Sequence, residues 1–179
     1  FYLEQGIPIY DIVSAGNVEG GDFMVLKPGV AICGYSGERS IEPAVNQLKN
    51  WFEAEGWEFM TYAFDPHFLH LDVQMGMIAE NLAVVCEEAV EPALVDWLKS
   101  KQIRIMEISY GDTMNMGTNI VALGDERLLI PAAGKSLIEK CRAEGLTVFE
   151  PDVSMMAAGG GSVLGMCQPL RRDAVPGSV

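Results

Sequence analysis

The stretch FMVLKPGVAICGYSGERSIEPAVNQLKNWFEAEGWEFMTYAF, Phe23 to Phe64, holds three patterns in one order. FMVLKPGVAICGY is two apolar runs about a Lys27-Pro28-Gly29 turn, which predicts a β-hairpin. In IEPAVNQLKNWFEAEG the apolar residues Ala44, Val45, Leu48, Trp51 and Phe52 recur at helical spacing, and Gly56 provides a stop. WEFMTYAF then reads as a strand. The unit is hairpin, helix, strand.

The same order returns twice. DVQMGMIAENLAVVCEEAV predicts a hairpin around Glu80-Asn81. EPALVDWLKSKQ predicts a helix with Pro92 near its first turn, and IRIMEIS a strand. The third unit has TNIVALGDERLLIPA with a turn at Gly124-Asp125, the helix GKSLIEKCRAEG and the strand LTVFEPDVS. A period of about 45 to 50 residues is the range of arrays and propellers. The fold class is α/β, with units spanning about 18–64, 70–109 and 117–153. A terminal strand is expected over 159–173. Three units in an open stack leave unpaired edges. The missing units are therefore expected on a partner chain or as a part removed by processing.

The bulk properties narrow the partners. The 179 residues are 49% hydrophobic and 21% charged, enough for a packed core, and carry a formal net charge of −13. Phosphate backbones and anionic membranes both require a basic face, so neither nucleic acid nor membrane is an expected partner. Small cationic ligands suit the charge. The four cysteines, Cys33, Cys86, Cys141 and Cys167, stand apart with no CxxC pair. That is the pattern of reduced thiols, and a cytoplasmic location is expected. Neither a cofactor nor a metal is called for.

Three polar segments stand where the repeat needs none. In NVEGGDF, Glu19 and Asp22 flank two glycines, and two carboxylates on one loop suit a planar cation. In HFLHLDVQ, His70 and Asp72 are two apart, so on a strand both point to one face, where they make a general acid/base pair. His67 adds an HxxHxD spacing, but a strand turns His67 and His70 to opposite faces, which disfavours a metal site. In GGGSVLGMCQPLRRD, Gly159 to Asp173, Cys167 is the candidate nucleophile. Its reactivity would require nearby positive charge, and Arg171 and Arg172 are near in sequence. Asn115 and Asn119, in NMGTN, are read as turn residues rather than ligand contacts.

EGGD (Glu19 to Asp22), HLD (His70 to Asp72), GGG (Gly159 to Gly161) and PLRR (Pro169 to Arg172), in this order on a hairpin-helix-strand repeat, resemble the guanidino-modifying penteins. These are arginine deiminases and dihydrolases, dimethylarginine dimethylaminohydrolases and amidinotransferases. The resemblance implies a pentein-like α/β propeller, incomplete on this chain. It also implies a thiolate that attacks a guanidinium carbon. Cys167 would be the nucleophile and His70 the general acid/base. Glu19 and Asp22 would bind or orient the cation, and Asp72 would hold the substrate's guanidinium.

Two departures stand out. The family's N-terminal units, with an aspartate in an RDP-like segment, have no counterpart. Members usually carry a histidine and then a cysteine four residues before the proline; here those positions are Leu164 and Gly165. If Val163 to Cys167 is extended, Gly165 and Cys167 share a face about 6.5 to 7 Å apart, which would let Cys167 take over. The first expectation is a hydrolase acting on the C–N bond of an arginine-like small molecule; amidine transfer differs only in the acceptor. The alternatives are a ligand-binding or regulatory subunit without a nucleophile, and a structural pentein.

Overall fold

The computed structural model describes residues 1–170, which form three sheets of identical design. In the first, β1 (Phe23–Lys27) and β2 (Val30–Tyr35) make a hairpin, α1 (Glu42–Ala54) crosses over, and β3 (Glu58–Ala63) returns parallel to β2. The second has β4 (Met75–Ala79), β5 (Leu82–Val85), α2 (Pro92–Ser100) and β6 (Arg104–Glu107). A short helix α3 (Tyr110–Met114) leads to the third: β7 (Val121–Gly124), β8 (Arg127–Leu129), α4 (Lys135–Ala143) and β9 (Thr147–Phe149). Helix α5 (Ser154–Ala157) follows.

Each hairpin slips register at the same place: Val25/Lys27, Met77/Ala79 and Ala122/Gly124. The slip moves the third turn one residue past the expected Gly124-Asp125. Leu123 is the residue left without a partner, Gly124 beside it has φ +79°, and Asp125 and Glu126 make the turn with positive φ.

The middle strands of the first two sheets, β2 and β5, are buried on both faces, which is why they read as unbroken apolar runs. Ala31 and Cys33 of β2 pack with Val45 and Phe52 of α1. Val30 and Ile32, on the opposite face, join Leu94 and Leu98 of α2 and Ala83 and Val85 of β5. Helix α2 therefore serves two sheets. In the next layer Val84 and Cys86 meet Leu137, Ile138 and Cys141 of α4. A Cβ on Gly76 would lie 2.5 Å from the Thr118 carbonyl oxygen, so the backbones of the second and third units approach more closely there than any side chain permits.

Two expectations fail. The terminal strand expected over 159–173 is absent from its described part. Residues 159–170 form turns, with the Met166 N–H donating to Ser162 O and the Cys167 N–H to Leu164 O. Gly160, at φ +89°, breaks the chain direction after α5. The extended Val163–Cys167 geometry therefore does not occur. Arg171 and Arg172 lie outside the described residues. Nor are His70 and Asp72 on a strand. Leu71–Val73 is a 3-10 turn capped by His70, because Asp22 captures the Leu71 N–H and the Val73 N–H folds back on His70 O.

Candidate functional site

The EGGD segment turns tightly. Gly20–Asp22 form one 3-10 turn, closed by the Asp22 N–H on Glu19 O. Asp22 thereby points inward and is fully buried. A buried carboxylate needs donors on every side. Its Oδ2 accepts from Ser40 Oγ at 2.6 Å and faces His70 Nδ1 at 3.3 Å, and its Oδ1 accepts from the Leu71 N–H at 2.9 Å. Ser40, also buried, in turn accepts from the Glu19 N–H. Asp22 was expected to bind or orient the cation; here its oxygens face Ser40, Leu71 and His70, and it contacts the histidine ring at Nδ1.

His70 lies between two carboxylates. Its Nε2 is 3.2 Å from Glu19 Oε2, opposite the Asp22 contact on Nδ1. An imidazole with both nitrogens facing acceptors favours its doubly protonated form. The hydrogen bond to Asp22 raises the pKa of His70; burial opposes this, and the charges of Asp22, Asp72 and Glu19 reinforce it. Glu19 is 40% exposed, and its other oxygen pairs with Arg39, itself half exposed. Gly21 makes room for the ring. A Cβ there would sit 2.7 Å from His70 Cγ and 2.8 Å from Cδ2. Gly21→Ala should push the ring off Glu19 and destabilise the chain by about 1 to 3 kcal/mol. NMR titration of His70 should then show its pKa falling back toward the ordinary histidine range.

Asp72 completes the cluster. It is 6% exposed, and its Oδ2 accepts from Asn119 Nδ2 at 3.4 Å. Burial pushes its carboxyl up to about 6, with His70 pulling down and Asp22 pushing up. Between the unfolded value and that one, the folded chain keeps a proton that the unfolded chain has released, so Asp72 costs stability as pH rises to about 6. Asp72→Asn should therefore stabilise the fold by about 2 kcal/mol above pH 6, and the gain should vanish near pH 4. Thermal melts across that range check this.

Asn119 bridges further. Its Oδ1 accepts from the Leu164 N–H at 2.8 Å, which ties the C-terminal loop to Asp72. Asn119 was read as a turn residue, and nothing in its local sequence marks this bridge. Asn115 does make a turn contact, to Gly111 O. His67 is elsewhere, its Nε2 2.8 Å from the Tyr110 hydroxyl. Cys167 is exposed, whereas Cys33, Cys86 and Cys141 are buried. Burial pushes the Cys33 thiol up to about 12 and that of Cys141 to about 11, so neither is a nucleophile. Glu19, Asp22, His70 and Asp72 form one cluster; among the described residues, Cys167 makes no hydrogen bond to any of them.

A family model described as N,N dimethylarginine dimethylhydrolase, eukaryotic, matches residues 4–172. The chain is 26% identical over 172 residues to the uncharacterized protein YkgA of Bacillus subtilis (strain 168), which covers 96% of this chain. It is 24% identical over 166 residues to an uncharacterized protein of Aeropyrum pernix, over 93% of this chain. It spans 58% of the length of each. Among solved structures it resembles a dimethylarginine dimethylaminohydrolase from Pseudomonas aeruginosa complexed with citrulline, with 24% identity, TM-score 0.66, and coverage of 79% of this chain and 51% of that one. It also resembles the N-terminal domain of ArgZ, a cyanobacterial arginine dihydrolase bound to product, with 20% identity, TM-score 0.74, and coverage of 89% and 59%. The third is SxtG, an amidinotransferase from Microseira wollei, with 18% identity, TM-score 0.72, and coverage of 88% and 48%. These likenesses show the fold. Among the described residues no helix is long and apolar enough to cross a membrane.

Proposed function

The chain belongs to the N,N dimethylarginine dimethylhydrolase family, within the guanidino-modifying penteins, and from that premise we propose that it binds an arginine-like guanidinium and hydrolyses its C–N bond. The observation that carries this is the clamping of His70 between Glu19 and Asp22, beside a buried Asp72. The cluster holds more negative charge than its own cations neutralise. A guanidinium supplies the missing positive charge in a planar form that carboxylates can grip through paired hydrogen bonds.

In this reading Asp72 and Glu19 hold the guanidinium nitrogens. The Cys167 thiolate attacks the guanidinium carbon and forms a C–S bond. His70, protonated between its carboxylates, gives its proton to the departing nitrogen, and the C–N bond breaks to release ammonia or an amine. Neutral His70 then takes a proton from water, which adds to the S-alkylthiouronium carbon. The C–S bond breaks, the ureido product leaves, and the thiolate is restored. Amidine transfer follows the same course with an amine in place of water.

The remaining pentein units would pack on the third sheet, from a partner chain or from a further part of the same polypeptide. The packing supports this: α2 and α4 cover the far faces of the first and second sheets, while Leu123 and Phe149 stand exposed on the third. Well-buried, unpaired cysteines suit a reducing, cytoplasmic setting.

A second reading, binding without turnover, is favoured by Gly165. The loop is anchored at Leu164, beside Asn119, and the next residue has no side chain. Incubating the protein with L-arginine and its N-methylated forms, while measuring released amine and ureido product, tests the proposal. Product formation supports the hydrolase. Binding without product supports the second reading.

A further inference from the structure

Asn119 is 94% buried in a setting that uses both ends of its amide. Nδ2 donates to Asp72 Oδ2 at 3.4 Å and Oδ1 accepts from the Leu164 N–H at 2.8 Å. Its neighbour Thr118 fixes the same turn from the other side, its hydroxyl placed 2.8 Å from Asp72 O and 2.7 Å from Val73 O. The Asn119 N–H is tied to Met116 O. The backbone of residue 119 is thus held, and its carboxamide spans from the buried Asp72 carboxylate to the loop that carries Gly165 and Cys167. An aspartate there has nothing to donate to Asp72. A leucine has neither group.

We propose that Asn119 is a positioning residue that transmits the state of the Asp72 carboxyl to the backbone of the C-terminal loop at Leu164. When Asp72 is ionised, its charge strengthens the bond from Nδ2 and holds the amide plane, so that Oδ1 meets the Leu164 N–H. When Asp72 takes a proton, that hold weakens and the loop loosens. Burial sets Asp72's charge state first, with His70 on its own turn pulling down and Asp22 from the EGGD turn pushing up; Glu19, paired with Arg39, acts on His70. The Thr118–Asn119 segment carries no titratable group, and the described part of the C-terminal loop carries only Cys167. A bound guanidinium would keep Asp72 ionised and so order the loop, a corollary that rests on the function proposed above. The pH dependence stands without it.

The test is NMR on the full chain. The Leu164 amide and the Asp72 side-chain carbonyl carbon are followed as pH is varied, together with hydrogen-exchange protection at Leu164. The Leu164 resonance is expected to inflect at the same midpoint as Asp72, near the value of about 6 that burial imposes. Protection should fall roughly fivefold below it, the factor one hydrogen bond is worth. In Asn119→Ala, or in the shorter Asn119→Ser should the first fail to fold, Asp72 should still titrate while the Leu164 inflection disappears. A Leu164 amide that does not follow Asp72 in the wild type overturns the inference. So does an inflection of unchanged size in the variant, which would mean that Leu164 senses the charge through space. Addition of L-arginine at low pH should restore protection in the wild type only. Failure of that step alone, with the pH behaviour intact, counts against guanidinium binding and not against the relay.

Discussion

Replacing Asp22 with alanine is expected to destabilise the fold by about 3 kcal/mol, because it strips a buried centre of the acceptor shared by three donors. For a chain of this length that is a drop of roughly 6 to 12 °C in Tm. Ser40 Oγ, the Leu71 N–H and His70 Nδ1 all lose their partner together, and Ser40 and Leu71 are themselves fully buried. The second consequence is electrostatic. Without the Asp22 hydrogen bond, the largest influence holding the His70 pKa up is gone, and burial then acts against the protonated ring. Asp22→Asn is the informative companion. It keeps the volume but cannot accept at both oxygens, so it should recover packing while His70 stays shifted down. A histidine titration unchanged in both variants, with Tm lowered by less than about 1 kcal/mol equivalent, would show that Asp22 does not organise the site.

Cys167→Ser is expected to lower turnover of guanidino substrates at least about a thousandfold while leaving L-arginine affinity within about threefold. A serine hydroxyl is nearly the same size, so neither folding nor ligand contacts should change, and only the formation of the covalent intermediate is lost. Mass spectrometry of the wild type during turnover should show an adduct on Cys167 that the variant lacks. Full activity in Cys167→Ser rules out the covalent step proposed for that thiol. Absence of activity in the wild type, with binding intact, moves the protein to the second reading, in which Gly165 marks a lost nucleophile.

Legibility in the sequence follows the physics of each element. The hairpins, crossover helices and parallel strands declare themselves because β2 and β5 are buried on both faces and the helices bury one stripe. Glu19, Asp22, His70 and Asp72 stand out because charged residues interrupt otherwise apolar or glycine-rich segments. How they meet does not show. The HLD turn arises from a hydrogen bond made 49 residues away in sequence, by Asp22 to the Leu71 N–H. Ser40 lies in a serine- and glycine-rich loop that looks like ordinary linker chemistry, and Asn119 in a segment with every sign of a turn. Both are buried adaptors whose partners come from other elements. The terminal strand fails for a related reason: apolar spacing after the glycines permits a strand, but a strand needs a neighbour, and residues 162–167 bond among themselves instead.

The most direct measurement is a calorimetric titration of the full chain with L-arginine from about pH 5 to about pH 8, repeated in buffers of different ionisation enthalpy. A cation entering beside Asp72, whose buried carboxyl holds its proton up to about pH 6, must displace that proton. Association should therefore strengthen as pH rises through about 6, with proton release detected in the buffer comparison. No association at any pH, or an affinity that does not change with pH, would contradict the assignment of this cluster as a guanidinium site.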